Sequence, residues 1–170
     1  TNVLHEYNSA QITVQRVQRA YNQNQRAKDV AEQERVRLDN AREFIELRLQ
    51  GLGAERRKLS QTLETQLRNQ AALQEELADE RNKNPRDGTR IHELEGQSNN
   101  ISDLKAHVQQ GLDSTQQREQ QDRLQVQETE KKLDKARSRV SQIEQLQWES
   151  ESALSDASMR AEAIAKRRDQ

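Results

Sequence analysis

The chain has 170 residues, of which 31% are hydrophobic, 2% aromatic and 34% charged, with 28 basic and 29 acidic side chains and a net charge of -1. So few large apolar residues exclude an ordinary globular core, while one Pro, five Gly and a balanced charge argue against disorder. The interspersed charges leave no basic face for nucleic acid, the absence of Cys removes disulfide and thiol chemistry, and no apolar run approaches the ~20 residues that cross a bilayer.

What remains is an all-α chain of long helix, because Ala, Leu, Gln, Glu, Arg and Lys dominate and are the strongest helix formers. The sequence assigns no compartment. It begins at Thr1 without an initiator Met and reads as a piece of a longer protein, or as a processed one.

The first predicted helix covers residues 1–81. Its apolar residues recur at alternating steps of three and four: Tyr7, Ala10, Val14, Val17, Tyr21, Ala31, Leu38, Ile45, Leu49, Leu52, Leu59, Leu63, Leu73 and Leu77. Polar residues at Asn24, Lys28, Arg35, Arg42, Arg56, Gln66 and Gln70 interrupt the same stripe. That spacing keeps one narrow edge turned toward a partner helix, the heptad seam of a coiled coil. Gly51 and Gly53 flank Leu52 and mark an expected local bend.

Residues 82–90 are predicted to be a polar turn. Asn84-Pro85 and Asp87-Gly88 are turn chemistry, and Pro85 is the one residue of the chain that a helix interior cannot tolerate.

The second helix, 91–170, repeats the stripe through Ile91, Leu94, Ile101, Val108, Leu112, Val126, Leu133, Ala136, Val140, Ile143, Leu154, Ala157, Ala161 and Ile164. The segment Gly96-Gln97-Ser98-Asn99-Asn100 is a second expected break. Trp148, beside the stripe position Gln147, is expected to pack on the other helix.

A turn midway along the chain predicts an antiparallel two-helix hairpin, with arms of ~120 Å at 1.5 Å per residue. Folded there, Tyr7 faces Ile164, Ala10 faces Ala161, Val17 faces Leu154, Leu38 faces Leu133, Ile45 faces Val126, Leu59 faces Leu112, Leu63 faces Val108 and Leu77 faces Leu94. Polar residues meet polar ones: Asn24 with Gln147, Arg42 with Thr129, Arg56 with Thr115 and Gln66 with Lys105. Three layers mismatch. Lys28 faces Ile143, Leu49 faces Asp122 and Leu52 faces Glu119, which predicts a weak middle. The rival is a parallel homo-oligomeric rod, for which the stripe keeps phase through Asn84 and Asp87.

No residues suggest catalysis, a cofactor or a metal site, so the chain is read as a non-enzyme. His5, His92 and His107 have no second ligand at helical spacing, and a slender rod offers no concave pocket. Arg56-Arg57-Lys58 and Lys166-Arg167-Arg168 read as solvated helix surface. Asn100-Ile101-Ser102 is a glycosylation sequon lying across the stripe. The turn residues Asn84, Pro85, Arg86, Asp87 and Arg90 are the candidate tip contacts.

The whole chain resembles rod segments of coiled-coil proteins. Asn22-Gln23-Asn24-Gln25-Arg26-Ala27-Lys28-Asp29-Val30, Leu38-Asp39-Asn40-Ala41 and Ala153-Leu154-Ser155-Asp156-Ala157 also resemble the receptor-binding helical hairpin of nuclease colicins. That resemblance implies an arm whose tip binds an outer-membrane receptor. The expected function is therefore a structural rod or spacer that mediates assembly through helix–helix contacts. The alternative is a hairpin arm presenting its tip. The expected partners are proteins, a second copy among the candidates.

Overall fold

The structure, a computed structural model, describes residues 2–83 and 85–170. Two helices, α1 (Asn2–Asn82) and α2 (Gly88–Asp169), pack against each other as an all-α hairpin, with no strand among the described residues.

Both helices run without interruption through the glycines at 51, 53, 96 and 111. Neither Gly51 nor Gly53 ends a helix, and the break expected at residues 96–100 does not occur. An interior Gly costs only about 1 kcal/mol relative to Ala, while each fully buried Leu on the facing stripe contributes about 1.5–3 kcal/mol. Packing outweighs local preference.

The ends of the helices follow from their side chains. The Lys83 amide donates to the Glu80 carbonyl at 3.3 Å, a tightened last turn at the end of α1. Helix α2 starts at Gly88, three residues before the expected 91. The cause is Asp87, whose Oδ1 accepts the Arg90 amide at 3.1 Å while its carbonyl accepts the Ile91 amide at 3.1 Å. This is an N-cap, and it satisfies amides that a helix start otherwise leaves open. Lys166, Arg167 and Arg168 occupy the last turn of α2, where cations favour the helix dipole.

The chain divides into two compact units. The first joins residues 1–42 to 128–170. Three apolar clusters lie along its helix contact. Ala10, Ala161 and Ile164 are packed by Tyr7 and Val14; Ala31, Val140 and Ile143 by Ala27; and Leu38, Leu133 and Ala136 form the third. Tyr7 thus shares a cluster with Ile164, Ala10 with Ala161, and Leu38 with Leu133. Ile143 belongs to the cluster with Ala31, Val140 and Ala27, and Lys28 is half-buried. Polar links close the unit's open end, where Arg167 donates to Glu6 at 2.6 Å and the Arg168 guanidinium lies 4.1 Å from the centre of the Tyr7 ring.

The second unit, 43–127, is the part that contains the turn. Leu52, Leu77, Leu94 and Leu112 are buried along its contact, and Ile45, Leu59, Leu63, Val108 and Val126 are half-buried. Arg81 bonds Glu95 at 2.8 Å, and Gln70 donates to the Ser102 hydroxyl at 3.3 Å.

Candidate functional site

None of the fourteen stripe residues named above as Val14, Val17, Leu38, Ile45, Leu59, Leu63, Leu77, Leu94, Val108, Leu112, Leu133, Val140, Leu154 and Ile164 is exposed. The informative feature of the contact is what lies between them. Thr115, Glu119, Asp122 and Gln147 are polar and at most 8% exposed. Buried polar groups are costly unless each finds a partner.

Asp122 finds Arg48. The Arg48 Nε donates to Oδ2 at 2.8 Å and its Nη2 to Oδ1 at 2.6 Å, a two-pronged clamp, with a third bond from Nη2 to Gln125 at 3.0 Å. The hydrogen bonds from Arg48 hold the Asp122 carboxyl below the ordinary carboxylate range; burial opposes this and the direct charge attraction adds to it. The same bonds raise Arg48. Glu119 lies between two guanidiniums, accepting from Arg56 Nε at 2.8 Å and from Arg123 Nη2 at 3.3 Å. Thr115 turns its hydroxyl back to the Gly111 carbonyl at 2.9 Å.

These contacts correct two expectations. The middle of the chain is not a set of unmatched layers, because Arg48 and Arg56 supply the missing partners of Asp122 and Glu119. Arg56 bonds Glu119, and it is half-buried rather than solvated; Arg57 and Lys58 are exposed. Sequence reasoning missed Arg48 because it lies one position off the stripe. The signal was available: an Arg flanking the layer in which an Asp faces Leu49.

In the first unit, Asn24 donates to Ser150 Oγ at 2.7 Å and to the Leu146 carbonyl at 3.5 Å. Gln147 bonds Gln25 rather than Asn24. Trp148 is 63% exposed and does not bury itself on α1. It follows Gln147 by one residue, about 100° round the helix, and so leaves the contact face.

Of the candidate tip residues, Asn84 lies outside the described residues. Pro85, Arg86, Asp87 and Arg90 are exposed, and two of them serve the fold: Asp87 caps α2, and Arg90 pairs with Glu76 at 3.5 Å and Glu93 at 3.4 Å. Lys83 pairs with Glu80 at 2.7 Å, which raises its pKa. His5, His92 and His107 are exposed. Among the described residues no three His, Cys, Asp or Glu side chains are grouped as metal ligands, and no helix is long and apolar enough to cross a membrane. In the sequon, Ile101 is half-buried and the Ser102 hydroxyl is engaged by Gln70.

Compared with known proteins, the chain matches no family model, no curated protein and no solved structure.

Proposed function

We propose that the chain is a structural coiled-coil segment, a rod or spacer that mediates assembly with protein partners through helix–helix contacts and carries out no catalysis. One observation carries this reading. Along both helices the side chains withheld from solvent recur at steps of three and four, the periodicity at which one helix recognises another. The distribution of charge agrees with it, since ion pairs such as Arg137–Asp39 at 3.5 Å and Arg81–Glu95 at 2.8 Å flank the contact and favour matched partners over mismatched ones.

The alternative is a hairpin arm that presents its tip to a receptor. It rests on the exposure of Pro85 and Arg86 at the connection between the helices. It is the weaker reading, because Asp87 and Arg90 are engaged in holding α2 and the described tip residues include no aromatic anchor.

The test replaces residues 84–90 with a Gly-Ser turn of equal length and compares it with Leu133→Asp. For an assembly segment, the turn replacement keeps helix content by circular dichroism and mass by light scattering, while Leu133→Asp loses both. A turn replacement that stays folded but no longer holds a partner bound by the native chain overturns this reading in favour of the arm.

A further inference from the structure

We infer that Asp122 and Glu119 act as an orientation selector: they hold the helices of the second unit to antiparallel, in-register pairing within one chain, at the expense of stability.

The apolar stripe cannot make this choice. A repeat of seven leaves Leu, Ile and Val opposite one another after a slip of one heptad, and also when two chains lie side by side in parallel. Something must penalise those alternatives, and the buried carboxylates do.

In a parallel, in-register pair each stripe residue meets its own copy. Asp122 would face Asp122 and Glu119 would face Glu119, in layers where these residues are buried. Lys105 and Arg56, both half-buried on the same stripe, would likewise meet themselves. In the hairpin the two carboxylates and Arg56 meet opposite charge: Arg48 holds Asp122 and Arg56 holds Glu119.

Slipped hairpins fare no better. A shift of one heptad in one direction puts Ala41 where Arg48 stands and Leu49 where Arg56 stands, and brings Arg42 level with Asp122 from the stripe itself. In the other direction Glu55 and Leu63 take those places, and Arg56 comes level with Asp122 instead. Either way a leucine takes the place from which Arg56 bonds Glu119, and the native pairs Arg48–Asp122 and Arg56–Glu119 are lost together, while Arg123, on the same helix as Glu119, stays with it.

The guanidiniums and the carboxylates are not equivalent in this device. The Arg48 and Arg56 side chains are 45% and 39% exposed, while those of Asp122 and Glu119 are 8% and 6% exposed. Without the carboxylates, the arginines can turn to water. The exchange of both carboxylates for leucine therefore completes the apolar stripe opposite Leu49 and Leu52 and leaves no charge stranded. Replacing a buried ion pair in this way is commonly neutral or stabilising, so the native carboxylates are a feature of specificity.

The chain has no Cys, so introduced pairs report on register without interference. Gln70→Cys with Ser102→Cys reads native pairing, because these two side chains touch at 3.3 Å. Gln70→Cys with Glu95→Cys reads a slipped hairpin. Gln70→Cys alone reads a parallel pair, since it meets its own copy there. The native chain is expected to give the internal Gln70–Ser102 link and little else.

Combining these with Asp122→Leu and Glu119→Leu is expected to keep or raise the thermal midpoint. It is also expected to increase the slipped link or the linked dimer by about tenfold, the factor that a modest change in pairing energy produces. Asp122→Asn with Glu119→Gln, which removes charge at constant shape, is expected to move the cross-links in the same direction. The inference is overturned if both variants lose helix, or if both keep the single native link at the purity of the unaltered chain.

Discussion

Arg48 reaches from beside the apolar stripe of α1 to grip both oxygens of Asp122 at 2.6 and 2.8 Å, and so neutralises a carboxylate that the helix contact has taken out of water. This relationship makes the two substitutions that break it unequal. Arg48→Ala leaves Asp122 in place with no guanidinium. Arg48→Ala combined with Asp122→Leu leaves an apolar layer. The single variant is expected to melt several degrees below the native chain, and the double variant is expected to recover most of the loss. A double-mutant cycle from thermal denaturation followed by circular dichroism measures the coupling. If the two effects simply add, the pair contributes nothing.

The same pair sets an acid limit. Asp122 sits below its ordinary value of 3.8 in the folded chain, chiefly through the Arg48 hydrogen bonds. A carboxylate lowered on folding contributes stability that is complete above its unfolded value and is lost as pH falls through its folded value. Melting temperature is therefore expected to drop as pH is lowered from about 5 to about 2, and Asp122→Asn is expected to flatten that limb. Glu34, lowered by its hydrogen bonds with Arg37 on the exposed face of α1, is a suitable comparison: Glu34→Gln should barely change the profile, since exposed pairs are screened. Equal flattening by both substitutions would argue against a special part for Asp122.

How much of this was legible in the sequence depends on range. The stripe was legible because a period of three and four is a one-dimensional property of the chain, and the turn was legible because Pro85 admits few alternatives. The pairing of Leu38 with Leu133 followed from counting outward from that turn. What could not be read depends on reach rather than position. Arg48 and Arg56 bridge to α2 through long side chains that leave their own layer, so their partners lie off the level at which they sit. Asp87 looked like part of the turn, and only the backbone distinguishes a turn residue from a cap. Trp148 follows the buried Gln147, and one residue's rotation about the helix axis carries it into solvent.

Burial separates leucines that look alike in composition. Leu94 is wholly withheld from solvent, whereas Leu104, on the same helix and in the same unit, is 51% exposed. Leu94→Ala removes packed methyl groups and leaves a cavity, which costs about 2–5 kcal/mol. Leu104→Ala is expected to stay within about 0.5 kcal/mol of the native chain. Urea denaturation of the two variants, with the slope held common, provides the comparison. Similar losses at both sites would show that the helix contact does not face as described.

Asp87 offers a local test at the start of α2. Without its side chain the Arg90 amide has no acceptor from the cap, and Asp87→Ala is expected to cost about 1 kcal/mol, with Asp87→Ser nearly neutral. Amide exchange should quicken at residues 88–91 and remain unchanged deeper in the helix. A uniform change along α2 would mean that Asp87 acts on something other than the first turn.

The helical glycines provide the opposite sign. Gly51, Gly53 and Gly96 lie inside continuous helix, and a methyl group added at any of them would meet nothing within 4 Å. None is needed for close approach, so Ala at each gains the lower backbone entropy of the unfolded chain, about 0.5–1 kcal/mol per site. Gly111 differs, because an added methyl would touch Leu59 at 3.7 and 3.8 Å, an ordinary contact distance. Gly111→Ala is therefore expected to gain the same backbone term and some packing with Leu59. The sites are far enough apart, Gly51 and Gly53 excepted, for their effects to add. Gly51→Ala, Gly96→Ala and Gly111→Ala together are expected to raise the thermal midpoint above any one of them alone. A fall in the midpoint at Gly51 or Gly96 would mean that the helix bends there in solution and needs the glycine to do so.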